Sequence, residues 1–472
     1  MIENKAAHLR RLWSVSALLA SPTSLGRASR WLLFLSLLSS IAPPGLSPQQ
    51  PNSAADIASL DALVARALER NPLVEAAAAR VEAKAAAVVP AGTLMDPMLG
   101  FGILNFPLTE PGFGDFMTMK MVSLGQVIPY PRRLRLRRRI AEAELSAARA
   151  RLDAARLEVI RETRTAYFEM AFQDRAREIL GRNADLLSTF SQLAESRYSL
   201  GVGMQQEVLN ARAEQGRFGE MTASVQEARR IAAVRLNTAL DLWTEEPVAP
   251  ASIPSEIASA AVFRDPTAIR FSSDALGSRA ADSPLPPLAE LQEKAARLNP
   301  AIREHEAMIA VQSLSVELAR QEHLPDFDIS LQYGQRSGFS DMVSAMVSIA
   351  VPIRRKSRQN LLASSASAEL VALQAEHHLQ RNDVLAEVAE TYGELERART
   401  HLALLVKSIL PQTQAVFEAS AIRYQSGSGS LTEVLDSQSA VFELETEYHR
   451  ALSDFAIALA ELEKVVGEEI EL

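Results

Sequence analysis

The feature that most limits how this chain can fold is a tract of about 69 residues, 132–200, without proline and with a single glycine, Gly181. An α-helix of that length would extend about 100 Å, because each residue adds about 1.5 Å. A compact globule does not accommodate such a helix, so the tract predicts long helices packed side by side. Residues at 3, 4 spacing form a coiled-coil seam, in which alanine permits close approach. The seam residues are Leu145, Ala148, Leu152, Ala155 and Val159.

Three further tracts, residues 204–242, 356–425 and 430–466, are similarly rich in Ala, Leu, Glu and Arg. Pro411 lies inside the second of them. Since proline removes a backbone donor and clashes with the preceding turn, we expect a kink or a join there. The chain is therefore predicted to be mainly α, with long antiparallel helices.

The sequence also contains an internal duplication, carried by three landmarks in the same order. Leu60-Asp-Ala-Leu63 leading to Asn71-Pro72 recurs as Leu288-Ala-Glu-Leu291 leading to Asn299-Pro300, and Val127-Ile-Pro129 recurs as Ala350-Val-Pro352. Arg197-Tyr198 with Gly201 and Glu207-Val-Leu-Asn210 recurs as Arg423-Tyr424 with Gly427 and Glu433-Val-Leu-Asp436. Repetition at nearly one offset predicts two structural repeats. We place them at residues 43–244 and 288–467, with a Pro- and Ser-rich linker at 245–287 and a tail at 468–472.

Each repeat carries a pair of segments with the two-residue period of β-strands. Residues 326–334 alternate apolar and polar side chains, and Val343, Ala345 and Val347 share one face of the following segment. The first repeat has counterparts at about 95–106 and 115–128. Strands of about ten residues with one apolar face are long enough to cross a bilayer, although the same pattern fits a half-buried hairpin in a soluble domain.

Four strands cannot close a barrel, because barrels in outer membranes begin at eight strands and an open edge in lipid leaves backbone groups unpaired. If the segments lie in a bilayer, several chains must share one barrel. The strands therefore predict an oligomer.

The N-terminal residues 1–42 predict a secretory signal peptide. Lys5, Arg10, Arg11 and other basic residues precede a dozen apolar residues that end near Ala42. The apolar segment is too short for a transmembrane anchor. An uncleaved anchor, or a start codon placed upstream of the true one, is the alternative.

Composition excludes several classes of protein. The chain has no cysteine, which rules out a disulfide framework, cysteine-ligated zinc and a lipid-anchoring N-terminal cysteine. The net charge of −9 opposes nucleic acid as the main partner. Beyond the first fifty residues no run of 18 uncharged apolar residues occurs. Histidines are scattered and no catalytic motif is present, so we predict neither an enzyme nor a cofactor or metal site.

With these features the sequence resembles the TolC family of outer-membrane efflux proteins, over residues of about 57–467. The resemblance rests on the duplication, the strand pair in each repeat and the Arg-Tyr-x-x-Gly motif before Glu-Val-Leu-Asn or Glu-Val-Leu-Asp. It implies a homotrimer whose helices form a periplasmic tunnel and whose four strands per chain form one twelve-stranded outer-membrane β-barrel. It also implies a periplasmic adaptor, a proton-driven inner-membrane pump and outer-membrane lipid as partners. The alternative is a soluble periplasmic coiled-coil adaptor or scaffold.

The resemblance also implies two kinds of site at the periplasmic end. Leu200, Gly201 and Val202 in the first repeat, and Ser426, Gly427 and Ser428 in the second, match the helix tips that engage the adaptor. The first tip keeps apolar residues around its glycine, as in the family pattern, whereas the second has serines. An ordinary helix C-cap is the alternative for both segments.

Glu433 and Asp436 match the acidic residues that line the closed entrance in family members. They are spaced i, i+3 and therefore share a helix face, where three copies would form rings of carboxylates. Asn210 replaces the second acid in the first repeat. A solvated helix face is the alternative.

The sequence contains little information about the substrate. Five of the twelve methionines, Met95, Met98, Met117, Met119 and Met121, lie in the first strand pair. Thioethers suit Cu(I), but alternating methionines are more often lipid-facing or core side chains, so metal coordination is not favoured. The texture of residues 96–107 resembles family members of the heavy-metal branch. Basic runs after each strand pair, beginning at Arg132 and Arg354, are expected beside phospholipid headgroups or at solvated helix starts.

Overall fold

A computed structural model describes residues 59–108, 111–261 and 285–470. The predicted signal peptide therefore lies outside the described residues, as do much of the linker and the last two residues of the tail. The described chain is mainly helical with four strands, as the sequence predicted. In chain order its elements are α1 (Leu60–Arg70), α2 (Pro72–Ala91), β1 (Met98–Leu104), β2 (Met119–Ile128), α3 (Pro131–Ser199), α4 (Gln205–Ala239), α5 (Ser255–Ala261), α6 (Leu288–Leu298), α7 (Pro300–Gln321), β3 (Phe327–Gln335), β4 (Met342–Ile349), α8 (Gln359–Leu404), a π-helical segment (Leu405–Ile409), α9 (Leu410–Gln425) and α10 (Leu431–Val466).

The long helices form where the sequence predicted them, with one difference between the repeats. Helix α3 is a single helix of 69 residues. The corresponding tract of the second repeat is interrupted by the π-helical turn Leu405–Ile409, directly before Pro411 in the first turn of α9. Pro411 has no backbone N–H to donate, and a π-helical turn tolerates such a break in the hydrogen-bond ladder. The interruption therefore lies where the sequence predicted a join.

The two Asn-Pro pairs act in the same way at equivalent places. Asn71 accepts a hydrogen bond from the Leu73 N–H (2.9 Å) at the start of α2, and its amide donates to the Ala239 carbonyl at the end of α4 (3.0 Å). Asn299 accepts from the Ala301 N–H (2.9 Å) and donates to the Val465 carbonyl near the end of α10 (2.7 Å). Each asparagine thus satisfies orphan groups at the ends of two helices.

The four strands form one antiparallel sheet in the order β1-β2-β3-β4. The hairpins of the two repeats join through β2 and β3, where Lys120 pairs with Gln335 and Ile128 with Phe327. Strands β1 and β4 are the two edges. Within the described chain these edges have no partner strand.

The two faces of this sheet differ in chemistry. One face, here called the apolar face, carries large exposed side chains such as Phe101, Val343 and Val347. The other, the small face, carries Gly100, Gly102, Ser123, Gly125, Ser330, Gln332, Gly334, Ser344 and Ser348, together with Asp328, Leu104, Val127 and five methionines. Since side chains alternate along a strand, this division follows directly from the register.

Arg133 connects the sheet to α3. Its side chain is buried and donates to the Asp326 carboxylate (2.8 Å) and to the carbonyls of Gln321 and Leu324. We expected the whole basic run to face headgroups or solvent. This is wrong for Arg133, because its buried guanidinium pairs with Asp326 and with two backbone carbonyls.

The hydrophobic core is divided along the helices. One cluster joins α6, α8 and α10 around Phe455, and a second joins α1, α3 and α4 around Phe168. A third joins α3, α4, α9 and α10 around Phe190, close to the helix tips. Among the described helices, none has a stretch that is long and apolar enough to cross a membrane.

Candidate gate and docking site at the helix tips

The two helix tips, residues 200–204 and 426–430, are the same turn made twice. After α3, the N–H groups of Val202 and Gly203 both donate to the Arg197 carbonyl (3.0 Å each). After α9, those of Ser428 and Gly429 both donate to the Arg423 carbonyl (2.9 and 3.0 Å). Each turn therefore satisfies the last carbonyl groups of its helix.

Two glycines make each turn possible. Gly201 and Gly427 have φ of +75° and +81°, a region that other L-residues occupy at a cost. Gly203 and Gly429 have a second role, because a Cβ on Gly203 would lie 2.9 Å from the Tyr198 nitrogen. Sequence reasoning identified the first glycine of each pair and missed the second, although the repeated Gly-x-Gly spacing was a usable signal.

The tips differ in the side chains that they expose. Leu200 and Val202 are 74% and 68% exposed, which leaves an apolar surface at the first tip. At the second tip the hydroxyls of Ser426 and Ser428 lie 3.0 Å apart and both donate to the Arg423 carbonyl. The second tip is therefore polar and internally hydrogen-bonded.

A contact between Arg197 and Tyr424 joins the two tips. The guanidinium donates to the Tyr424 carbonyl (2.8 Å) and lies 4.8 Å from the centre of its ring, a cation–π contact. Tyr424 is fully buried, with the Phe190 ring 6.4 Å away. Burial, and then the Glu207 carboxylate, raise the pKa of the Tyr424 hydroxyl, while Arg197 opposes them. Sequence reasoning used this Arg-Tyr motif only as a landmark.

Glu207 makes a second connection between the tips. Its carboxylate accepts from the Met204 N–H at the start of its own helix and from the Leu431 N–H at the start of α10 (3.4 Å each). A carboxylate at two helix N-termini is favourable because both present unpaired donors and a positive dipole end. The two helical hairpins are thus held together by Arg197, Tyr424 and Glu207.

The predicted gate residues lie on the exposed side of the first two turns of α10. The Glu433 carboxylate is 3.5 Å from the Arg423 guanidinium, so its charge is partly balanced. Asp436 is exposed and has no ion-pair partner among the residues that the structure describes. Asn210, its counterpart in the first repeat, is half-buried in α4.

In residues 59–108, 111–261 and 285–470, no group of three histidine, aspartate or glutamate side chains is arranged to hold a metal ion. The exposed apolar side chains and exposed carboxylates at the tips support association and charge selection.

Comparison with known proteins identifies the class to which this fold belongs. The family model described as outer membrane efflux protein matches residues 63–241 and 291–468, one segment in each repeat. The cobalt-zinc-cadmium resistance protein CzcC of Cupriavidus metallidurans is 22% identical over 334 residues, which are 70% of this chain and 71% of CzcC.

Solved structures agree in fold. The outer-membrane channel OprN superposes with a TM-score of 0.70 at 20% identity, covering 86% of this chain and 89% of OprN. CusC, solved in a study of transmembrane channel formation, gives 0.70 at 16% identity, covering 87% and 92%. The predicted efflux class is thereby confirmed, and a soluble periplasmic adaptor is not supported. The chain belongs to the outer membrane efflux protein family and is an efflux protein of the outer membrane.

Proposed function

We propose that three copies of this chain form a passive exit duct, which receives its substrate from a proton-driven inner-membrane pump through a periplasmic adaptor. The observation that carries the proposal is the four-stranded sheet, which has one mainly apolar face and, within the described chain, two unpaired edges. In lipid both edges must find partners, and β1 of one copy beside β4 of the next supplies them. Three copies would give twelve strands, above the eight at which barrels close.

The oligomer and the duct are tested together with purified full-length protein. Native mass spectrometry in detergent should give a trimer, and the same preparation should conduct ions in planar bilayers. Extraction separates this proposal from a peripheral protein: carbonate or high salt should leave the protein in washed membranes, and only detergent should release it. Release by carbonate, or a monomer without conductance, would contradict the proposal.

At the periplasmic end, Glu433 and Asp436 act as the gate in this proposal. Three copies of each exposed carboxylate at a constriction would attract cations and repel anions. Opening requires the hairpin α9–α10 to move relative to α3–α4. The contacts of Arg197, Tyr424 and Glu207 would resist that movement, because each bridges the two hairpins.

Adaptor docking is assigned to the two tips. The first tip, with Leu200, Gly201 and Val202, offers the apolar surface, while Ser426, Gly427 and Ser428 offer hydrogen bonds at the second. A photo-crosslinking amino acid at position 202 should capture a periplasmic protein in cells more strongly than the same amino acid at position 209, on the exposed side of α4. Equal capture at both positions would remove the tip from the docking surface.

Heavy-metal cations are the proposed substrate class. The support is the name of the relative CzcC together with the texture of residues 96–107. Deletion of the gene should lower tolerance to cobalt, zinc, cadmium or copper, and restoration of the full-length chain should reverse the loss. Sensitivity to hydrophobic drugs alone would contradict this assignment.

A further inference from the structure

Methionine is distributed very unevenly between the two faces of the sheet. Five of the twelve methionines of the chain lie on the small face, and the apolar face of the four described strands has none. The five are Met98, Met119, Met121, Met342 and Met346. Most residues of the apolar face are Phe, Tyr, Leu, Ile, Val or Ala, with Lys120, Gln126 and Gln335 as the polar exceptions. The strands therefore place their thioethers opposite most of their large hydrocarbon side chains. Packing volume alone does not require such a separation.

Three of these methionines surround Gly334. In the register, Gly334 pairs with Met121 on β2 and with Met342 on β4, so both neighbours are on its own row. A Cβ on Gly334 would lie 2.6 Å from the Met119 sulfur, which means that this thioether covers the glycine. Adjacent strands are about 4.8 Å apart, so the three side chains can converge within the reach of a methionine.

The other two methionines occupy the sheet edges. Met98 on β1 pairs with Gly125, and Met346 on β4 pairs with Ser330 on the same row. In the proposed trimer, β1 of one copy adjoins β4 of the next, which brings Met98 and Met346 of neighbouring copies onto adjacent strands. Glycine and serine beside them leave space for these side chains.

Thioether sulfur is a soft ligand that selects Cu(I) and similar ions over harder divalent cations. We propose that the small face binds soft monovalent metal ions, Cu(I) or Ag(I), through Met119, Met121 and Met342 around Gly334, with Met98 and Met346 as a second binding row. The inference rests on the proposed function, because that function makes the small face the wall of the duct. Neutral ligands hold such ions weakly enough for release, as conduction requires.

The binding test uses purified full-length protein in detergent, titrated with silver nitrate in chloride-free buffer and followed by isothermal titration calorimetry. Wild-type protein should bind Ag(I), and the triple variant Met119→Leu, Met121→Leu, Met342→Leu should bind on the order of tenfold more weakly, with the Met98 and Met346 row left to hold the ion. The control is Met170→Leu, Met221→Leu, Met308→Leu, which removes three thioethers from the helices and should bind like wild type. Leucine conserves volume, so both triple variants should fold.

A glycine pair sharpens the test without removing any sulfur. Gly334→Ala places a methyl group against the Met119 thioether, whereas Gly102→Ala, on the same row beyond Met121, meets nothing within 4 Å. Gly334→Ala should weaken Ag(I) binding, and Gly102→Ala should not. Equal effects of the two alanines, or equal effects of the two triple variants, would overturn the site.

Conductance distinguishes failure of this inference from failure of the proposed function. If wild-type protein forms conducting trimers but binds no Ag(I), the metal site is wrong and the duct stands. If no trimer or conductance is found, the duct is wrong whatever the silver titration gives. In cells, the methionine triple variant should lower tolerance to silver and copper and leave tolerance to zinc unchanged; an equal loss for all three metals would contradict soft-metal selection.

Discussion

The two repeats have the same turns and caps but different surroundings. Tyr424 and Tyr198 occupy equivalent positions before equivalent turns, yet Tyr424 is fully buried and Tyr198 is 48% exposed. Likewise Arg197 stacks on the buried ring, whereas Arg423 pairs with the exposed Glu433. Duplication therefore copied the local structure of the tips, while packing gave each copy its own role.

The difference arises because the repeats pack on each other inside one chain. The first repeat contributes Arg197 and Glu207 to the contact, and the second contributes Tyr424 and the start of α10. The reciprocal set, Arg423, Glu433 and Tyr198, stays on the surface of the described chain. This exposed set has the residue types of the internal contact, so it is the surface on which the first repeat of a second copy of the chain would pack.

The strongest contrast is expected from the two tyrosines. Tyr424→Ala should destabilise the protein by about 3 kcal/mol, because it removes a buried aromatic ring and leaves a cavity beside Phe190. Tyr198→Ala should change stability by less than about 0.5 kcal/mol, since its ring is half exposed. Urea unfolding followed by helical circular dichroism measures both. Equal losses would show that the two tips are alike in the assembled protein.

The two asparagines should instead behave alike. Asn299→Ala and Asn71→Ala should each cost about 2 kcal/mol, because each removes a helix cap and leaves a buried carbonyl at the end of a second helix unpaired. The same unfolding measurement applies, with Asn210→Ala on α4 as the control. A loss at only one asparagine would mean that packing outweighs the cap at that end.

The sequence predicted the features that the two repeats share, and it did not predict the contacts in which they differ. The long helices, the strand pairs and the glycine turns depend on neighbours within a few residues, so pattern and residue type sufficed. Which tyrosine is buried, where Arg133 directs its charge and which sheet face holds the methionines depend on contacts between distant segments. Alternation within one strand does not give the register between β2 and β3. Without that register, the sequence could not show which residues of the two hairpins share a face of the sheet.

The turn glycines should give a smaller and equal effect in both repeats. Gly201→Ala and Gly427→Ala should each cost about 1 kcal/mol, because alanine is strained at positive φ. Gly181→Ala, in the middle of α3 with nothing within 4 Å of the new methyl group, should be neutral or slightly stabilising. Thermal unfolding separates the three variants. A neutral result at either tip would mean that the turn relaxes to another form.

The smallest effect tests the comparison at the proposed gate, where one carboxylate is paired and the other is not. Asp436→Asn should alter single-channel conductance and weaken block by a trivalent cation a few-fold, because it removes three uncompensated charges from the proposed trimer. Glu433→Gln should change both less, since Arg423 already offsets that charge. Glu220→Gln, on the exposed side of α4, is the control. Arg423→Gln should show stronger block by the trivalent cation than wild type, because it leaves the Glu433 carboxylate without its ion-pair partner. If Glu433→Gln proved the stronger variant, the ion pair with Arg423 would not persist in the assembled channel, and the two tips would differ less than the single chain indicates.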